Sequence, residues 1–174
     1  MDFQRVVSSF LKVHRAVEVT ECLRTSAQWS EITQAYLGLK PLKFPYEFVT
    51  RRGLRLTLNS FHDLVTIWVI FCRHEYRVPA NTEVVVDAGA NIGTFSIYAC
   101  SHLAKKVYAV EPFPETFSQL KKNIEANKLG DRVTMKTLAL ADSTGFRNMD
   151  TQEAPSQSRG LLQADDQDGL KVQT

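Results

Sequence analysis

The stretch Val84-Val85-Val86-Asp87-Ala88-Gly89-Ala90-Asn91-Ile92-Gly93 constrains the fold more than any other part of the chain. Three consecutive valines form an apolar run without alternation, the pattern of a parallel strand buried on both faces. The glycines that follow sit where such a strand turns into its crossover helix. Glycine lacks a Cβ, so the backbone there can bend tightly and come close to a ligand. Past Gly93 the start of the helix offers unpaired N–H groups to an anion such as a carboxylate. Gly89 and Gly93 are also the only glycines between Gly53 and Gly130.

The segment after this turn repeats the same alternation. A helix is expected from Thr94 to Ala104, a second buried strand over Val107 to Val110, and a third over Val133 to Leu140. Between the last two, Pro114 suits a first helical position, and Phe117, Leu120 and Ile124 continue the helix to Gly130. The order β-α-β-α-β is half of a doubly wound parallel sheet, with right-handed crossovers.

Upstream, residues 1–43 read as a helical extension. Phe3, Val6, Val7, Phe10, Val13 and Val17 recur at helical spacing, and Trp29, Ile32 and Tyr36 share a second face. Gly38 and Pro41 then stop the helix. Residues 44–149 form the main body. Glu47 to Thr50 and Leu54 to Leu58 read as a hairpin about Gly53. Ser60 and Asp63 have capping-box spacing, so the apolar run Leu64 to Cys72 reads as a helix despite its β-branched residues. Residues 150–174 are a polar tail, with Leu170-Lys171-Val172 as the start of a further strand.

Composition excludes several classes. With 44% hydrophobic and 23% charged residues the chain is an ordinary globular one. Lys and Arg number 21 against 19 Asp and Glu, and a net charge of +2 gives no general pull toward nucleic acid or anionic membrane. The longest apolar run falls short of the about 20 residues a spanning helix needs, and charges interrupt the first residues, so a soluble, cytoplasmic protein is expected. Cys22, Cys72 and Cys100 are an odd number at unrelated spacings and form no disulfide framework. Cys72 with His74, and Asp166 with Asp168 and Gly169, lack the companions of a zinc or calcium site, so no metal is expected. His62 and His74 are read as structural.

Three acidic positions complete the pattern. Asp87 ends the first strand. Glu111, some twenty residues beyond the glycine turn and at the end of the second strand, is placed to accept bonds from both hydroxyls of a ribose. Asp142, after the third strand, is placed to meet an adenine amino group. These carboxyl ends are where open α/β sheets bind ligands, so a nucleoside-containing cofactor is expected. Asn91 and Thr94 stand where a nicotinamide dinucleotide fingerprint has its second and third glycines, which disfavours an NAD-dependent oxidoreductase.

The D-x-G-x-N-x-G spacing resembles the first motif of class I S-adenosylmethionine-dependent methyltransferases. VVVDAGANIGTFSIYA, VYAVEPFPETFSQLKKNIEANKL and DRVTMKTLALADSTG together are similar to the FkbM family of these enzymes, over roughly residues 48–146. The resemblance implies an α/β fold, a Rossmann-like methyltransferase parallel sheet with N-terminal helices and a hairpin. It implies S-adenosyl-L-methionine as cofactor. Gly89, Asn91 and Gly93 would line its methionine end, with Asp87 orienting the loop. Glu111 would bind the ribose, Phe113 would pack beside adenine, Asp142 would meet its amino edge, and Tyr76 would stand at the lip. By family habit the reaction is O-methylation of a small-molecule or sugar-type acceptor, with no nucleic acid and no membrane as partner; no catalytic base is identified.

The chain departs from the family after the third strand, because no K-x-D-x-E-G segment follows. Only the first three β-α units of the sheet are expected, which leaves an uncovered edge at Val84 to Val86. A fragment of a longer enzyme, a covering tail or a partner chain over that edge would each account for this. A non-catalytic nucleoside-binding module is the alternative to an enzyme.

Overall fold

A computed structural model of the chain describes residues 13–102, 104–149 and 170–174. The chain divides into two compact units, Met1–Arg77 and Val78–Thr174. The division falls inside the segment 44–149, so the hairpin and apolar helix belong with the N-terminal helices.

In the first unit, α1 (Val13–Thr25) and α2 (Trp29–Tyr36) precede an antiparallel hairpin of β1 (Tyr46–Val49) and β2 (Arg55–Leu58). Phe48, Leu56 and Leu58 turn one face of the hairpin into the core. The corner between the helices extends its other edge. Gln28 acts there as a surrogate strand residue: its Nε2 donates to the Glu47 carbonyl at 2.9 Å and its Oε1 accepts from the Val49 N–H at 2.8 Å. Val17, expected on the apolar face of α1, is instead exposed.

Helix α3 (Phe61–Ile67) starts at the expected capping box. The Ser60 hydroxyl accepts from the Asp63 N–H, and the Asp63 carboxylate accepts from the N–H groups of Ser60 and Asn59. The helix then widens into a π turn, Trp68–Cys72, in which the Arg73 N–H reaches back to the Trp68 carbonyl at 2.9 Å. Fully buried Trp68 stacks on Tyr36 with ring centroids 4.2 Å apart and donates its Nε1–H to Glu18 at 2.7 Å.

The second unit is α/β. Strands β3 (Val84–Ala88), β4 (Lys106–Val110) and β5 (Val133–Lys136) form a parallel sheet in the order β3-β4-β5. They alternate with α4 (Thr94–Ser101) and α5 (Pro114–Ala126). Val107, Ala109, Ile97, Leu120 and Ile124 form the buried side. On the other side, Val86 pairs in register with Tyr108, and both are exposed, as is Val84. The valine run is therefore not buried on both faces: β3 is an edge strand whose alternate side chains face outward.

The third strand is shorter than expected. From Thr137 the chain leaves the sheet and enters a separate antiparallel pair, β6 (Phe146–Met149) with β7 (Leu170–Gln173). The strand start expected at Leu170 is real, whereas residues 150–169 of the expected polar tail lie outside the described residues. The Ala139 N–H donates to the Gln173 carbonyl at 2.8 Å, and Val172, Ala139 and Phe113 pack into one small apolar cluster.

Candidate functional site

The turn from β3 into α4 is held from the neighbouring strand. The N–H groups of Gly89 and Ala90 both donate to the Val110 carbonyl at 2.9 Å, which folds the turn over the end of β4. Glu111, the residue just past that strand, secures the far side. Its Oε2 accepts from the Asn91 N–H at 2.9 Å and its Oε1 from the Phe113 N–H at 3.0 Å. Burial of this carboxyl, which is only 4% exposed, pushes its pKa up; the two amide bonds and the nearby Asp87 charge act on it in opposite senses.

Asp87 is buried as well, and its Oδ2 accepts from the Ser96 hydroxyl at 2.6 Å. Burial raises its pKa, and the Ser96 bonds partly offset the rise. Asp87 and Glu111 thus stand at the carboxyl ends of adjacent strands, one bracing the start of α4 and the other the turn itself.

The two glycines have different roles. Gly89 has φ +72°, and a Cβ built on it meets nothing within 4 Å, so the backbone there faces open space. Gly93 has φ +88°, but a Cβ there would lie 2.6 Å from the Leu120 Cδ1. Helix α5, not a ligand, requires glycine at 93. Between them, Asn91 adopts φ +49°, a region that asparagine tolerates better than most residues.

Two buried polar atoms of the turn, Asn91 Nδ2 and Thr94 Oγ1, have no hydrogen-bond partner among the described residues. Each carboxylate oxygen of Glu111 carries further lone pairs beyond the one its backbone donor uses. Open space at Gly89, an unused amide donor and spare carboxylate acceptors fit a hydroxyl-bearing nucleoside with a polar tail.

The other expected residues have their own surroundings. Asp142 sits in an exposed turn, where it accepts from the Ser143 hydroxyl at 3.0 Å and from Arg147 at 3.3 Å. Phe113 is buried as the N-cap residue of α5, in the cluster with Ala139 and Val172. Tyr76 belongs to the first unit and is half exposed. Two supporting residues escaped the sequence reading. Ser96 orients Asp87, and Asn123 on α5 donates its Nδ2–H to the Ile92 carbonyl at 2.9 Å. A polar residue inside the apolar stripe of Leu120 and Ile124 is the signal that marks Asn123.

Residues 73–153 match the model of the TRM5/TYW2 methyltransferase domain. Among curated proteins, the tRNA (guanine(37)-N(1))-methyltransferase Trm5b of Methanocaldococcus jannaschii is 49% identical over 51 residues, 29% of this chain and 15% of that protein. The 31-O-demethyl-FK506 methyltransferase FkbM of Streptomyces tacrolimicus is 38% identical over 68 residues, 38% of this chain and 25% of that protein. The chain thus spans a quarter or less of these two relatives. A solved structure of M. jannaschii Trm5 in complex with adenosine aligns with TM-score 0.39 at 30% identity, covering 55% of this chain and 30% of that one.

Residues 73–153, which carry the glycine turn, Asp87 and Glu111, are thus similar to an S-adenosylmethionine-dependent methyltransferase domain. These matches overturn one expectation, that of a small-molecule acceptor with no nucleic acid partner, because the first of these relatives is a tRNA methyltransferase by name. A charge balance near neutral does not decide the acceptor, since phosphate contacts depend on where cations cluster rather than on their sum. Among the described residues no helix is long and apolar enough to cross a membrane, and no group of His, Cys, Asp and Glu could hold a metal.

Proposed function

We propose that this chain carries the cofactor-binding half of an RNA methyltransferase, acting on a tRNA base. The observation that carries the reading is Glu111, buried between the Asn91 and Phe113 amides beside the open backbone of Gly89. In this role Glu111 takes the ribose hydroxyls on its free lone pairs, and Asn91 Nδ2 donates to the methionine end. Asp87, through Ser96, keeps the turn and the first residues of α4 in place. Bound S-adenosylmethionine supplies an electrophilic sulfonium methyl, so the protein's task is alignment of donor and acceptor more than acid–base chemistry. Similarity to a relative named a tRNA (guanine(37)-N(1))-methyltransferase supports tRNA as the acceptor class.

Calorimetric titration with S-adenosylhomocysteine and with NAD tests the cofactor. Binding of the former, lost in Glu111→Ala while the fold is retained, is expected; binding of NAD alone would overturn the reading. Radiolabelled methyl transfer to a tRNA transcript, with the unmutated chain as enzyme, then tests the acceptor.

A further inference from the structure

The ribbon of β6 and β7 turns its two faces to different surroundings. Strand residues alternate between faces, and the register sets Phe146 opposite Gln173 and Asn148 opposite Lys171 on one face, with Arg147 opposite Val172 on the other. The inner face is occupied. Val172 is buried with Phe113 and Ala139, and Arg147 donates to Asp142 at 3.3 Å and to the Ser143 hydroxyl at 2.9 Å. On the outer face Phe146 is 66% exposed, and the Lys171 ammonium lies 4.9 Å from its ring centroid. Lys171 and Gln173 are exposed as well. An aromatic ring, a cation and two carboxamides thus share one face, and none of the four residues is acidic.

Such a set suits single-stranded RNA, whose unpaired bases stack on aromatic side chains while cations meet its phosphates. A protein interface needs an apolar core, and Phe146 is the only apolar side chain of the four. The ribbon is also anchored beside the glycine turn. The Ala139 N–H donates to the Gln173 carbonyl at 2.8 Å, and Phe113, which packs with Val172, donates its N–H to Glu111 at 3.0 Å.

We propose that the outer face of the β6–β7 ribbon is a docking subsite for an unpaired nucleotide of the acceptor RNA, its base stacked on Phe146 and its phosphate against Lys171. Resting on the proposed tRNA acceptor, this subsite adds a place where that RNA touches the chain. Asn148 and Gln173 flank the ring and bring amide donors and acceptors to the base edge. The nucleotide held there is a neighbour of the reacting one, because the outer face lies on the far side of the ribbon from Phe113 and the turn.

The test is fluorescence anisotropy of a labelled tRNA transcript titrated with the full chain and its variants, alongside calorimetry with S-adenosylhomocysteine. Phe146→Ala is expected to weaken transcript binding about tenfold, the loss of one base–aromatic stack, and Phe146→Trp to keep it. Lys171→Ala is expected to weaken binding and to flatten its dependence on log salt by about 0.7, one phosphate contact on a single strand. Both side chains are exposed, so S-adenosylhomocysteine binding is expected to be unchanged in all three variants. A short oligouridine should displace the transcript better than an RNA duplex of equal length. Transcript binding that Phe146→Ala and Lys171→Ala leave intact, or that the duplex displaces as well as oligouridine does, would overturn the subsite and leave the tRNA acceptor standing. An unmutated chain that binds no transcript would overturn both.

Discussion

The backbone N–H of Asn91 donates to Glu111 Oε2 across the end of the parallel sheet at 2.9 Å, and this bond closes the glycine turn from outside. The other carboxylate oxygen is taken by the Phe113 amide, so Glu111 joins the turn of β3 to the start of α5.

Removing that carboxylate should therefore cost stability as well as binding. Glu111→Ala leaves two buried amides unpaired, at about 1–3 kcal/mol each. Glu111→Gln keeps one acceptor but sets a donor against the other amide. We expect urea unfolding to rank the chains wild type, Gln, then Ala. Calorimetry should show S-adenosylhomocysteine binding weakened in both variants by more than about tenfold, or 1.4 kcal/mol.

Gly89 and Gly93 should separate binding from packing. Both have positive φ, so alanine at either costs about 1–2 kcal/mol from backbone strain. At 93 the new methyl also displaces Leu120, adding about 1–3 kcal/mol. Gly93→Ala should thus lower the thermal midpoint further, whereas Gly89→Ala, facing open space, should lose more affinity than stability. Equal stability losses with unchanged binding would remove Gly89 from the site.

Asp87 and Glu111 both have pKa values raised by burial. Their ionised forms are disfavoured in the folded chain, so their contribution to stability is greatest below the ordinary carboxylate range. It falls as pH rises through the raised values and is constant above them. Asp87→Asn stays neutral and still offers an oxygen to Ser96. Its stability relative to wild type should grow in urea titrations as pH rises above the ordinary carboxylate range; a difference independent of pH would contradict this.

In the first unit, Ser60→Ala removes the hydroxyl that accepts from Asp63 and should cost about 1 kcal/mol. Asp63→Ala strands the Asn59 and Ser60 amides together and should cost more, measured as a lower unfolding midpoint.

Local chemistry explains which features could be read from sequence. The capping box, the hairpin about Gly53 and the three strands with their intervening helices depend on short-range spacing, and each is found in place. Glu111 could be located because a strand end fixes its position to within a residue. What depended on the third dimension was hidden. The valine run points to a free edge but not to the exposure of Val84 and Val86 on one face, and the polarity of residues near the C-terminus obscured the pairing of β7 with β6. The contact of Asp142 with Arg147 on β6 could not be read from its sequence position either. Gly93 has the residue type expected of a ligand loop, yet Leu120 fills the space beside it.

That last contact, with the Asn123 bond to Ile92, makes the inward side of α5 a mould for the turn. Ligand affinity is then partly inherited from a helix that need not touch the ligand. Repacking at 120 or 123 would retune the grip on an adenosyl group by reshaping its seat.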